Sequence, residues 1–201
     1  MPPAKVHTAR KEFERVLFHS ADLGAAVTPF LIDNWDSIQG WTPLNAAQAR
    51  RVLSMAFLTT WTAWEAFVEG TFLRYMTGAK SKSGFAPDLR IGACRDMNHA
   101  RDVLCGGSQS GRTYLTWSNW KVVKDRARLF FRDGKPFTDV AGVAEERLQR
   151  AVAIRNRIAH SSEKCKKDFK ITAQHFLGIK KEETLPARCG VGQLLIVMPG
   201  P

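Results

Sequence analysis

The chain has 201 residues, 44% of them hydrophobic and 24% charged, and its 30 Lys and Arg outnumber 19 Asp and Glu to give a net charge of +11. That length and balance suit one folded domain with a real core. The longest uncharged apolar stretch, residues 52–64, is too short to cross a bilayer and holds three threonines and a serine, so no membrane segment is expected. The basic excess favours a polyanionic partner, and it equally fits a merely solvated cationic surface.

In chain order, a first helix is expected from near Thr8, turning Phe13, Val16, Leu17, Leu23 and Val27 inward, with a loop over 32–44 behind it. Asn45 followed by Gln48 offers a cap for a long second helix that ends at Met76, before Thr77-Gly78. Its seam is Phe57, Trp61, Trp64, Val68, Phe72 and Tyr75, a pattern that by itself means core. Residues 77–86 make a basic loop. A short helix over 95–104 stops at Gly106-Gly107. Ser108-Gln109-Ser110-Gly111-Arg112 lacks the Gly-Lys-Ser/Thr of a phosphate-binding loop and reads as surface. Ser118 is expected to cap a helix over 119–131 with Trp120, Val123, Ala127 and Phe130 inward, and residues 132–136 to turn. Thr138 or Asp139 then opens a helix that reaches His160, and Ser161 or Ser162 restarts the chain toward Gly178. Residues 190–197 read as extended, with Leu194-Leu195-Ile196-Val197 too apolar for a free tail. The sum is an all-α single helical bundle of about five or six helices over residues 1–180, with a non-helical extension over 181–201.

The chemistry concentrates in Arg155-Asn156-Arg157-Ile158-Ala159-His160. Cleavage of a phosphodiester by the ribose 2′-OH needs a group that moves a proton near neutral pH and a group that holds charge on phosphorus. Imidazole does the first and guanidinium the second. Spacing alone is weak, since 17 arginines and 5 histidines give such a pair by chance roughly once in a chain this size. Placement adds to it. Arg155 falls on the apolar stripe of Val143, Ala144, Leu148, Ala151, Val152, Ile158 and Ala159, where a charge needs a partner or a purpose. Asn156 and His160, four apart, share a neighbouring face. Lys164, Lys166, Lys167 and Lys170 follow, and with Arg150 and Arg157 they make a cationic surface suited to RNA.

The Arg-Asn-x-Ile-Ala-His string at the end of an apolar helix resembles the signature of the HEPN superfamily. Trp64-Glu65-Ala66-Phe67-Val68-Glu69 resembles the "WE" helix of its RiboL-PSP-like group. The resemblance covers most of residues 8–178 and none of the last twenty or so. It implies a metal-independent endoribonuclease in which Arg155, Asn156 and His160 are catalytic. It further implies a homodimer with a composite cleft, and a role in toxin-antitoxin or antiviral defence, with an antitoxin protein as a possible partner. Glu65, set among apolar neighbours, is expected to position the arginine or histidine, although with Glu69 it equally fits an exposed acidic strip. A non-catalytic RNA-binding or protein-interaction domain is the alternative, and a third reading gives Arg155 and His160 only structural roles.

Cys94, Cys105, Cys165 and Cys189 form no CxxC pair and have no histidine at ligand spacing, so no metal or cofactor is expected. Met-Pro-Pro-Ala-Lys-Val-His lacks the apolar core of a signal peptide, which suits a reducing cytoplasm. No Gly-x-Ser-x-Gly, His-Glu-x-x-His or dinucleotide fingerprint is present, and His7, His19, His99 and His175 are given no role.

Overall fold

Asn45 and Gln48 start the longest helix by capping each other. The Asn45 backbone N–H donates to Gln48 Oε1 at 2.8 Å, and the Gln48 N–H donates to Asn45 Oδ1 at 2.9 Å. In the computed structural model, which describes residues 5–31, 44–106, 115–186 and 189–197, that helix is the second of seven. They are α1 (Val6–Val27), α2 (Ala46–Met76), α3 (Met97–Leu104), α4 (Trp120–Phe130), α5 (Val143–Ala159), α6 (Glu163–Leu177) and α7 (Val191–Val197). Among the described residues there is no β-strand, only an isolated antiparallel bridge between Leu89 and Phe131. The all-α class expected from the sequence is the class observed. The loop expected over 32–44 and the glycine-rich run 108–112 lie outside the described residues, save Leu44.

The chain forms two compact units, one of residues 1–15 and 62–149, the other of residues 16–61 and 150–201. In the first, Val68, Phe72, Leu73 and Met76 bring one face of α2 together with Trp120, Val123 and Ala127 of α4. Phe72 is fully buried, and its ring centroid lies 4.9 Å from Phe131, 5.0 Å from Phe137 and 5.3 Å from Trp117. In the second, Ile154 of α5, Phe169 and Ala173 of α6 and Leu194 of α7 form a smaller core, joined by Phe57 and Ile158.

Several local expectations change. Asn119, not Ser118, caps α4, its Oδ1 accepting from the Lys121 N–H at 3.1 Å and the Val122 N–H at 3.4 Å. The helix expected from Thr138 or Asp139 is only a 3-10 turn there, Phe137–Asp139, because Gly142 takes a positive φ of 58° that no continuous helix allows. Instead α5 begins at Val143, with the Gly142 carbonyl accepting from the Glu146 N–H at 3.0 Å. Leu17 and Leu23, expected inward, are exposed, whereas Val27 is buried. Val143 is likewise exposed, and the core face of α5 in the second unit is set by Ile154 and Ile158.

The clearest correction concerns the C-terminal extension. Residues 191–197, expected extended, form helix α7. The Leu194 N–H donates to the Gly190 carbonyl at 3.0 Å, and Leu194 is buried at 1% exposure, so the apolar run gains more from one helical face in the core than from pairing with a strand.

Truncating Phe72 to alanine should remove the ring that Trp117, Phe130, Phe131 and Phe137 surround. Chemical denaturation is expected to register a loss of about 3–5 kcal/mol, and a loss below about 1 kcal/mol would mean that the neighbouring rings close the gap.

Candidate functional site

Helix α5 ends at Ala159, where the His160 N–H still donates to the Asn156 carbonyl at 2.8 Å. Ser162 Oγ accepts from the Cys165 N–H at 3.3 Å and opens α6, so three residues link the two helices. His160 is exposed in that link. Asn156 faces the arginine before it, not the imidazole: Arg155 Nη1 donates to Asn156 Oδ1 at 3.1 Å. Arg155 is half-buried, and its Nε–H is buried without a hydrogen-bond partner among the described residues. An unmade bond from a buried charged donor costs on the order of 1–3 kcal/mol, so the stripe carries this arginine at a cost. Glu65 stands on the stretch of α2 that belongs to the first unit and is half-buried. Glu69 is not part of a free acidic strip, because it accepts from Arg101 of α3 at 2.9 Å.

The second unit also contains a pocket of about 770 Å3. Arg50 and Arg51 of α2, Arg157 of α5, and Lys166 and Lys170 of α6 line it, and none of the lining residues is acidic. Ile158 and Phe169 belong to its apolar surface, and the segment 189–193 closes one side. Of the cations singled out from the sequence, Arg157, Lys166 and Lys170 therefore converge on one cavity. Arg150, Lys164 and Lys167 are not among its lining residues, and neither are Arg155, Asn156 and His160. The two sets touch at one point, where Arg157 Nη1 donates to the His160 carbonyl at 3.4 Å.

Five cations around one cavity repel each other, and one carboxylate relieves part of that. Lys166 Nζ lies 2.6 Å from Glu163 Oε1. The hydrogen bond from Lys166 and, more weakly, the charge of Arg157 hold the Glu163 carboxyl below the usual carboxylate range. Both members of the pair are well exposed, so it is a loose brace that a stronger anion can displace.

Arg50 and Arg51 carried no signal in the sequence beyond being adjacent basic residues just past the Asn45 cap. What brings them in is α7. A Cβ placed on Gly192 would sit 2.6 Å from Arg50 Cβ and 2.8 Å from its carbonyl carbon, so the α7 backbone lies directly against α2. Cys189, at the edge of the same pocket, is partly buried, and that burial pushes its thiol above the ordinary range. None of the four cysteines forms a disulfide. Among the described residues no group of three or more His, Cys, Asp or Glu stands together to hold a metal ion, and no helix is long and apolar enough to cross a membrane.

No family model matches the chain, and no curated protein or solved structure matches it.

Replacing Gly192 with valine should drive side-chain atoms into the α2 backbone and lift α7 away. Alkylation of Cys189 by iodoacetamide, followed by mass spectrometry at pH 8, is expected to be slower than that of a free peptide thiol in the wild type, because less thiolate is present. It should accelerate several-fold in Gly192→Val. An unchanged rate would show that α7 accepts a side chain at that contact.

Proposed function

We propose that this chain is a HEPN-like endoribonuclease that cleaves RNA without a metal through Arg155 and His160, with Asn156 as a positioning residue. The observation that carries this reading is the end of α5, where an exposed imidazole follows, within five residues, a guanidinium braced by Asn156 that still has an unused donor. In the reaction the ribose 2′-OH attacks phosphorus and the bond to the 5′-oxygen breaks, leaving a 2′,3′-cyclic phosphate and a 5′-hydroxyl. His160 moves the proton, taking it from the 2′-OH or delivering it to the departing 5′-oxygen. Arg155 holds the charge that builds on the non-bridging oxygens, once its side chain turns from the helix face to the phosphate. The net charge of +11 and the cationic lining contributed by Arg157 and Lys166 draw the polyanion in. Arg150, Lys164 and Lys167, on the same two helices, would extend that contact along the strand.

A homodimer belongs to the same reading: each active cleft would take one histidine to remove a proton and its counterpart to supply one. A role in toxin-antitoxin or antiviral defence in the cytoplasm, held in check by an antitoxin protein, follows from the resemblance to HEPN proteins. One observation favours a second reading, non-catalytic RNA binding: the cavity is lined by neither Arg155 nor His160, so anion binding there does not require cleavage.

Cleavage of single-stranded and structured RNA in EDTA separates the two. The wild type is expected to release fragments with cyclic phosphate ends. His160→Ala should lower the rate by about 10²–10⁴-fold and Arg155→Ala by about 10²–10³-fold, with circular dichroism unchanged. A wild type no more active than these variants removes the enzyme. Light scattering should give twice the chain mass of 22.5 kDa, and a monomer at micromolar concentration would remove the composite cleft.

A further inference from the structure

We propose that Arg157 is a positioning residue of the cleavage site, which holds the backbone of His160 so that the imidazole projects toward the RNA from a fixed place. The proposal rests on the reading of His160 as the group that moves the proton. Its starting point is the difference between the ends of two successive helices. α6 stops on Gly178, whose left-handed φ of 66° lets its N–H meet the Gln174 and His175 carbonyls. α5 has no glycine at its end, where Ala159 is followed by His160, Ser161 and Ser162. The last carbonyls of a helix have no partner within it, so here a side chain serves instead. Arg157 is the basic residue in the last turn of α5, and its Nη1 donates to the His160 carbonyl at 3.4 Å. A cation at that end also suits the helix dipole.

Both backbone groups of His160 are thereby tied to α5, the N–H to the Asn156 carbonyl at 2.8 Å and the carbonyl to Arg157. The Asn156 side-chain oxygen serves Arg155 and not the imidazole. With that oxygen engaged, restraint on the ring comes through the main chain that carries it. Arg157 is itself addressed from the far side of the joint. The Glu163 carboxyl, in the first turn of α6, is held below the usual carboxylate range first by its hydrogen bond from Lys166, and it also feels the charge of Arg157. A guanidinium suits this post, because its fork can keep one N–H on a carbonyl and direct another toward a carboxylate.

The test uses the full chain and a single-stranded RNA in EDTA, with protein in excess so that one turnover is read. Arg157→Met keeps the apolar stem and removes the donor. It is expected to lower the saturating rate about tenfold, while the protein concentration that gives half that rate rises by less than about threefold. Arg157→Lys, which keeps a charged donor, should recover most of the lost rate. Hydrogen exchange of the His160 amide, followed by NMR without RNA, should be about fivefold faster in Arg157→Met than in the wild type and close to the wild type in Arg157→Lys. A saturating rate or a His160 exchange rate that Arg157→Met leaves unchanged overturns the proposal. A loss confined to the half-saturating concentration makes Arg157 an RNA contact only and overturns it as well. The two readings fail separately: a wild type that cuts no RNA removes the ribonuclease, whereas an active wild type beside an equally active Arg157→Met removes this role alone.

Discussion

The second unit depends on one buried amide. Gln174 of α6 is 3% exposed, and the two N–H groups of its Nε2 are shared among the carbonyls of Lys180 at 3.2 Å, Lys181 at 3.1 Å and Glu183 at 2.7 Å. A side-chain amide left unsatisfied in that position would cost on the order of 1–3 kcal/mol, so the chain after α6 is folded back to meet it. Gly178, with φ at 66°, makes the reversal, and the Ile179 N–H closes it on the Gln174 carbonyl at 2.9 Å. From there the chain returns through Leu185 and Cys189 to α7, whose Gly192 meets Arg50. The amide's acceptors and the burial of Leu194 beside Ile154 and Phe169 together hold the side of the pocket formed by 189–193.

How much of this was legible in the sequence varies with the range of the interaction. The Asn45/Gln48 box, the end of α2 at Met76, a restart at Ser161 or Ser162 and the stop at Gly178 were readable, because each is settled by residues within four positions of each other. Position 143 was not, because a periodic stripe does not reveal that Gly142 breaks the chain just before it. Residues 191–197 were misread for a different reason: Leu194-Leu195-Ile196-Val197 has strand-like composition, and only burial of Leu194 beside Ile154 and Phe169 selects the helix. The candidate site divides in the same way. Arg155, Asn156 and His160 were visible as a string, while the meeting of Arg50 and Arg51 with Arg157 rests on a contact between positions 50 and 192 that no local pattern announces.

The geometry also rearranges the roles within the string. Asn156 was expected on a shared face with His160, yet its side-chain oxygen serves Arg155. The asparagine thereby restrains the guanidinium and leaves the imidazole unrestrained by it. Arg157, expected on the cationic surface suited to RNA, is the residue that links cavity and histidine. Two arginines two positions apart on one helix thus serve different surroundings, one half-buried against the helix stripe and one at a cavity, which follows from the 100° of helical turn per residue.

The link of His160, Ser161 and Ser162 has a mechanical side. It is all that separates the last turn of α5, which carries Arg157, from the first turns of α6, which carry Lys166 and Lys170. Six backbone dihedrals therefore govern the spacing of the cations on one side of the cavity, and the histidine supplies two of them. A torsional change at position 160 therefore acts on the direction of the imidazole and on the start of α6 together, which couples the histidine to the side of the cavity that carries Lys166 and Lys170.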